Sequence, residues 1–328
     1  MVKANAYGHD IETIVSYCEQ EKLCSDFGVA SINELVDIKN LNDSDFWVFS
    51  EVDLKNNHEL YKRKNIIPVL SNLADLKYFL DNFDHDKIVL KFDTGMNRLG
   101  FVESDLDGVI ELLKKNNVKS IKHVLTHFSS SYFKIKEDSK ACDQFQLFQR
   151  IKETLKSSGF TIYGSSCSNS GAIEQSFGSD ETHIRPGLMM YGPKSYGIFN
   201  KNIESSFKTI SSLKSKIISK KFFKQNSEIG YGDTKLDEDG WIVIIPLGYG
   251  DGVLNYYVGA NVKCSNEVGK IFGRVNMDLC FIYFKNEPSG DEIVIWDDNL
   301  VEFSNQVRSI PYQVLTSITQ RVPKVFKY

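Results

Sequence analysis

A chain of 328 residues can bury one large core or two ordinary ones, and two unequal domains are the first expectation. With 41% hydrophobic and 25% charged residues it has the make-up of a folded globular protein rather than a disordered one. A net charge of −4 argues against a nucleic-acid partner, and no apolar run approaches the roughly 20 residues of a membrane span. The chain meets Asn5, Tyr7, His9 and Asp10 almost at once, so it lacks the basic and apolar regions of a signal peptide, and a cytoplasmic protein is expected. Six cysteines form no Cys-x-x-Cys pair and are too sparse for a disulfide scaffold, which makes them reduced thiols.

Taken in chain order, a short apolar run ends at Lys3 and is followed by small residues, a tyrosine and a glycine. Strand patterns then occur at 27–30, 46–49, 66–70, 87–92, 121–126, 161–163 and 182–184, which with the Lys3 run makes eight. Between them, residues 33–41, 73–80, 105–115 and 139–156 repeat apolar positions at three and four, as amphipathic helices do. Alternating strands and helices imply a parallel sheet with right-handed crossovers. Eight such units predict a TIM-like (β/α)8 barrel, with a doubly wound open sheet as the runner-up.

From about residue 207 helical periodicity gives way to strands at 213–223, 241–245, 261–264, 268–272, 280–284 and 292–296, separated by Gly, Asn and Asp turns. The expected organisation is therefore an α/β barrel over 1–200 and an all-β domain over 201–328, joined by a turn-rich stretch at 192–207.

In a barrel of this type, chemistry collects where strands end. Lys3 ends the first run, Lys91 and Asp93 the fifth, His127 the sixth, and Arg185 the eighth, while Ser168-Asn169-Ser170-Gly171 follows the seventh. A desolvated strand-end lysine can bond covalently to a carbonyl cofactor, and a turn of small residues can offer amides to a phosphate. Singly, each has an ordinary reading: a solvated N-terminal lysine, a surface ion pair for Lys91 and Asp93, a buried histidine, a strand-end arginine, a serine cap. His123 and His127 are four apart, but they sit in a strand pattern without a glutamate between them, so a zinc site is not expected.

In combination and in order, the motifs are specific. They are Val2-Lys3-Ala4-Asn5-Ala6-Tyr7-Gly8-His9, Met96-Asn97-Arg98-Leu99-Gly100, Thr126-His127-Phe128, Ser168-Asn169-Ser170 and Ile184-Arg185-Pro186-Gly187-Leu188. They continue through Ile229-Gly230-Tyr231-Gly232, Pro246-Leu247-Gly248-Tyr249-Gly250-Asp251-Gly252, Gly273-Arg274-Val275-Asn276-Met277-Asp278 and Arg321-Val322-Pro323-Lys324. The chain thus resembles the alanine racemases along its whole length.

The resemblance implies pyridoxal 5'-phosphate held by Lys3, which would also act as one catalytic base, with Tyr231 as the other base on the opposite face. It implies that Tyr231 comes from the partner subunit, so that a homodimer shares its active sites. Tyr7, Ser170, Gly187 and Leu188 match phosphate-binding positions, Arg185 the arginine facing the pyridine nitrogen, and His127 a histidine packed against the ring. Arg98 and the Met277 backbone match receivers of the substrate carboxylate, Lys91 a lysine that positions the arginine and is carbamylated in some members, and Tyr249 and Asp278 the substrate entry. Gln320, before Arg321, replaces a tyrosine found in some relatives.

The implied reaction is racemisation of L-alanine to D-alanine for peptidoglycan precursors, with another small amino acid such as serine as the alternative substrate. A non-catalytic pyridoxal-phosphate protein is disfavoured by the second domain and Tyr231, and a decarboxylase by the lack of a cysteine-bearing substrate motif there. Only Met1 and Val2 precede Lys3, whereas a strand takes about five residues, so the first strand is expected to be truncated and the chain start to lie downstream of the family's. An inactive truncated racemase is the reading that follows if that strand is needed.

Overall fold

The computed structural model describes residues 1–36, 38, 44–195 and 208–327. They form two compact units. The first gathers Met1–Ala6 and Asp10–Met190, and the second Tyr7–His9, Tyr191–Pro193 and residues 208–327. The expected boundary at 200/201 lies outside the described residues. All six cysteines are free.

In the first unit six strands lie in chain order in one parallel sheet: β1 (Asp26–Ser31), β2 (Asp45–Glu51), β3 (Ile66–Leu70), β4 (Val89–Lys91), β5 (Ser120–Leu125) and β6 (Thr161–Ser166). All five residues of β3 are buried, as expected of a continuous apolar run covered on both faces. Trp47, Ile67, Val69, Val89 and Leu125 pack together as a core of neighbouring strands. The helices Leu73–Asn82, Leu106–Lys115 and Lys140–Ser157 fall where their periodicity predicts. The first is capped by the Asn72 side chain, which accepts from the Asp75 amide at 2.9 Å. The pattern at 33–41 yields a 3-10 turn, Ile32–Leu35, and beyond it falls largely outside the described residues.

Two of the eight predicted strands are not strands. Residues 182–184 are exposed and are followed by Pro186, which has no N–H to continue a ladder; they contribute an isolated parallel bridge between Asn169 and Arg185 and a bond from the His183 amide to Ser165 O at 3.1 Å. At the other end Met1 and Val2 belong to no strand. Val2 N donates to Gly28 O at 2.8 Å beside β1, and Met1 N donates to Pro186 O at 2.9 Å. These bonds link the two flanks of the sheet, so the ring closes through segments too short to be strands.

Past Val2 the chain enters a left-handed helical turn. Ala4, Asn5, Ala6 and Tyr7 have φ of 52°, 53°, 52° and 55°, followed by Gly8 at 83° and Asp10 at 76°. Such a conformation costs roughly 1–2 kcal/mol per L-residue and needs compensation. Glu34 supplies part of it, accepting from the Ala4 and Ala30 amides at 2.6 Å each. Asn5 adds bonds from the Ile11 amide to its side chain at 2.9 Å and from the Asp10 amide to its carbonyl at 3.1 Å, and Ala6 is buried.

The second unit is a seven-stranded antiparallel sheet of β7 (Leu213–Lys216), β8 (Ser219–Phe223), β9 (Gly240–Ile245), β10 (Asn261–Cys264), β11 (Glu267–Phe272), β12 (Cys280–Phe284) and β13 (Glu292–Trp296), in the order β7-β13-β10-β11-β12-β9-β8. The predicted strand at 213–223 is two strands. They are two residues apart in the chain yet lie at opposite ends of that order, so the sheet must curl round on itself. The unit is also not all β: helices Leu300–Gln306 and Pro311–Thr316 bury Leu300, Phe303, Val314 and Leu315. Each is only six or seven residues long, too short for its periodicity to stand out, although Pro311 at a first helical position is a start signal.

The strained turn makes a specific prediction. Ala4 is exposed, so Ala4→Val changes little but the backbone preference, and a β-branched residue disfavours positive φ. The variant should lose about 1–2 kcal/mol in denaturant unfolding, while Ala4→Gly should show no loss. Equal stability of all three would mean that the turn is not left-handed.

Candidate active site

In the first unit the charges of several polar residues at strand ends act on His127. Lys3 opens the helical turn Lys3–Gly8, Lys91 ends β4, Arg98 stands on the loop after it, and Arg185 forms the bridge with Asn169. His127 is held neutral, its pKa well below the usual value, first by desolvation and then by the charges of Arg185, Arg98, Lys91 and Lys3. The same crowding acts on the lysines. Desolvation, with Arg98 and Arg185 next, lowers Lys91 to about 8, and Lys91 is only 5% exposed. Lys3 is also pulled down, by desolvation and then by Arg98, although part of its side chain meets solvent. Arg185 is lowered to about 10 by desolvation.

The carboxylates acting on these lysines are already engaged. Glu34 holds the Ala4 and Ala30 amides. Asp93 accepts from the amides of Gly95, Met96, Asn97 and Arg98 at 2.9, 2.8, 3.0 and 2.7 Å, which fixes the loop that carries Arg98. Burial alone would raise the Asp93 pKa, but these four bonds outweigh it and hold the carboxyl below its usual value. The reading of Lys91 and Asp93 as a surface ion pair therefore fails: Lys91 is buried and Asp93 is a loop anchor.

Behind His127, Asn169 Nδ2 donates to Phe128 O at 3.1 Å and lies 3.5 Å from His127 Nε2, while its Oδ1 accepts from Ser131 Oγ at 2.5 Å. Ser170, 4% exposed, accepts at Oγ from the Gly187 amide at 2.8 Å and the Met189 amide at 3.4 Å, so Ser170, Gly187 and Leu188 are brought to one place. The Arg185 guanidinium donates to Ser166 Oγ and Thr126 O, and to Cys167 O at 3.2 Å. Asp93 and Asn169 stood among the strand-end polar residues of the sequence, but with no role assigned. Asp93 was legible in type but not in role; the amides that it holds belong to its own loop.

The remaining predicted residues belong to the second unit. Tyr7 is 5% exposed and stacks on Tyr191 with ring centroids 4.7 Å apart. Tyr231 is 69% exposed at the tip of the β8–β9 connection, which is closed by a bond from the Ile229 amide to Thr234 O at 2.9 Å. Its flanking glycines are required: both have positive φ, and a Cβ at Gly230 or Gly232 would lie 2.6 Å from the Phe281 ring or the Arg274 side chain. Arg274 and Phe281 thus set the tyrosine's loop beside the segment that carries Met277 and Asp278, both exposed. The Tyr249 amide donates to Asn276 O at 2.9 Å and the Gly250 amide to Met277 O at 2.8 Å, which leaves the Met277 N–H without a partner among the described residues. Asp251 joins the terminal motif through Arg321 at 3.3 Å. The second-unit motifs therefore converge on one patch with Tyr231, Tyr249 and Met277 exposed.

Comparison with known proteins places the chain in a family. The model of the alanine racemase N-terminal domain matches residues 1–195, and that of the alanine racemase C-terminal domain matches residues 210–326. The chain belongs to the alanine racemase family. It is 29% identical over 341 residues to the alanine racemase of Coxiella burnetii, covering 98% of this chain and 90% of that one, and 28% identical to that of Clostridium tetani, covering 99% and 88%. Among solved structures it matches alanine racemase from Acinetobacter baumannii with TM-score 0.81 and 25% identity, covering 98% and 90%. It also matches the Bacillus anthracis alanine racemase with bound L-Ala-P, with TM-score 0.85, 23% identity and coverage of 98% and 86%. The barrel and the antiparallel second unit are thus the alanine racemase fold.

The loop anchored by Asp93 can be tested by itself. Asp93→Ala should lower stability by about 2 kcal/mol at neutral pH, because it unbinds amides from an ionised acceptor. The carboxyl pKa is depressed in the folded state, so this contribution is present above the unfolded carboxylate value near 4 and is lost as pH falls below it. The gap between wild type and variant in denaturant unfolding should therefore narrow on acidification; a constant gap would contradict the assignment.

Proposed function

We propose that the protein racemises a small amino acid, L-alanine to D-alanine, with pyridoxal 5'-phosphate, by a two-base mechanism in a homodimer that shares its sites. The observation that carries this reading is the cluster of Lys3, Lys91, Arg98 and Arg185 around a neutral His127, with the neighbouring carboxylates engaged elsewhere. Such a site fits a ligand with a phosphate and a substrate with a carboxylate, and it offers a carbonyl a lysine whose pKa is pulled down. Pyridoxal phosphate, when bound, supplies the electron sink that acidifies the Cα proton of an amino acid.

The chain's own residues supply the rest. Ser170 Oγ, the backbone at Gly187 and Leu188, and the Tyr7 hydroxyl hold the phosphate. Arg185 would lie toward the pyridine nitrogen and, as a cation, would discourage its protonation, while His127 would pack against the ring. Lys3 anchors the cofactor and exchanges the Cα proton on one face, and desolvation followed by the charge of Arg98 pulls its pKa down, which favours the neutral amine. Tyr231, supplied by the partner subunit, exchanges the proton on the other face. Arg98 and the Met277 N–H receive the substrate carboxylate. Lys91 sets Arg98, and its lowered pKa leaves an amine that can react with carbon dioxide. Tyr249 and Asp278 line the entry. The product supplies D-alanine to cell-wall precursors.

Purified protein should show a visible absorption band that borohydride removes, and Lys3→Ala should lack the band and lose about 10²–10⁴-fold or more in alanine racemisation. Tyr231→Phe should keep the band and slow Cα hydrogen exchange with solvent much more in one direction than in the other. A symmetric, mild effect would contradict the two-base assignment, and faster turnover of serine than alanine would change the substrate.

A further inference from the structure

A buried chain of polar groups continues behind Arg185. Its guanidinium donates to Ser166 Oγ, and Ser166 Oγ lies 2.8 Å from His123 Nε2. Ser166 and His123 are 1% and 2% exposed. Arginine has no acceptor atom, so Ser166 must use a lone pair for Arg185, and its own proton is then free to go to His123 Nε2. That requires His123 to carry its proton on Nδ1 and to be neutral. Desolvation, with His183, Arg185 and Lys122 adding to it, does hold the imidazole neutral, at about 2.

The ring is also locked in place. Trp47 and His183 meet it edge-on, with centroids at 5.0 and 4.9 Å, and the Trp47 indole is tied to Asp26 Oδ1 at 2.9 Å. On the remaining side Gly164 leaves no room, since a Cβ there would come within 2.5 Å of His123 Nδ1. A histidine so placed contributes neither charge nor exposed surface; what it offers is one fixed acceptor.

We propose that His123 and Ser166 are positioning residues for Arg185, forming a one-way hydrogen-bond relay that orients its guanidinium. With Thr126 O and Cys167 O taking the other branch of the fork, the relay fixes the guanidinium plane at two separate points. The role rests on the reading that Arg185 faces the cofactor ring, because a fixed plane matters only if a ligand meets it.

Two measurements on the full chain test the relay. In nitrogen-15 NMR of the protein without cofactor, His123 should be the Nδ1–H tautomer with Nε2 acting as acceptor; an Nε2–H tautomer overturns the relay. In titrations with pyridoxal phosphate, His123→Phe should weaken binding about tenfold and move the absorption maximum of the bound cofactor, and His123→Gln, which returns an acceptor, should restore both. Wild-type affinity and spectrum in a folded His123→Phe would also overturn it. Should that variant fail to fold, Ser166→Ala, which only removes a hydroxyl, carries the same expectations and the same contrary result. Failure of the underlying reading looks different: wild type itself then binds no pyridoxal phosphate, while the His123 tautomer still decides the relay.

Discussion

Positive charge concentrated in partly desolvated space is the constraint on which the first unit depends. Lys3, Lys91, Arg98 and Arg185 all act on His127, and each lowers the affinity of its neighbours for a further proton. Lys91 is buried and Arg185 half-buried, while Lys3 and Arg98 are exposed, and holding like charges together in this way is costly. An anion bound among them would offset part of that cost. The cluster also sets the chemistry open to the residues, because Lys91 is brought down to about 8 and His127 is held as a neutral wall.

Holding that cluster together takes strain and exact backbone placement. The lysine directly precedes four residues of left-handed φ, a conformation that Glu34 and Asn5 stabilise by bonding nearby amides. The arginine loop is organised the opposite way, around a single carboxylate that collects four amides. In the second unit glycines perform the equivalent task by allowing Tyr231 to stand away from Phe281 and Arg274. Rigid placement of this kind is what reacting groups need, since an error of about 1 Å can reduce a rate about a hundredfold.

Much of this was legible in the sequence, and the exceptions have physical causes. Strand and helix periodicities gave the six central strands and three long helices because their apolar residues are buried by the same faces that the pattern predicts. The run ending at Lys3 read as a strand because the small residues after it carry no signal of handedness; the bonds that stabilise the left-handed turn come partly from Glu34, thirty residues away. Residues 182–184 have a strand's composition but lie just before Pro186, and beside them only Arg185 forms an isolated bridge. Residues 213–223 read as one strand because nothing in the pattern marks Ile217 and Ile218 as the point where the chain passes from one edge of the sheet to the other. The motifs named nearly every residue of the cluster, yet not Asp93 as a loop anchor or Asn169 behind His127, since those roles depend on backbone amides that no motif displays.

The two units divide the chemistry: the first gathers the cations and the anchoring lysine, and the second presents an exposed tyrosine beside an exposed Met277 amide segment. Under the proposed mechanism these come from different protomers, and mixed dimers test that claim most directly. Lys3→Ala and Tyr231→Phe chains, each inactive alone, should regain activity when dissociated and reassociated together, up to about a quarter of the wild-type level if pairing is random and each mixed dimer rebuilds one intact site. Activity no higher than that of the separate variants would contradict the account.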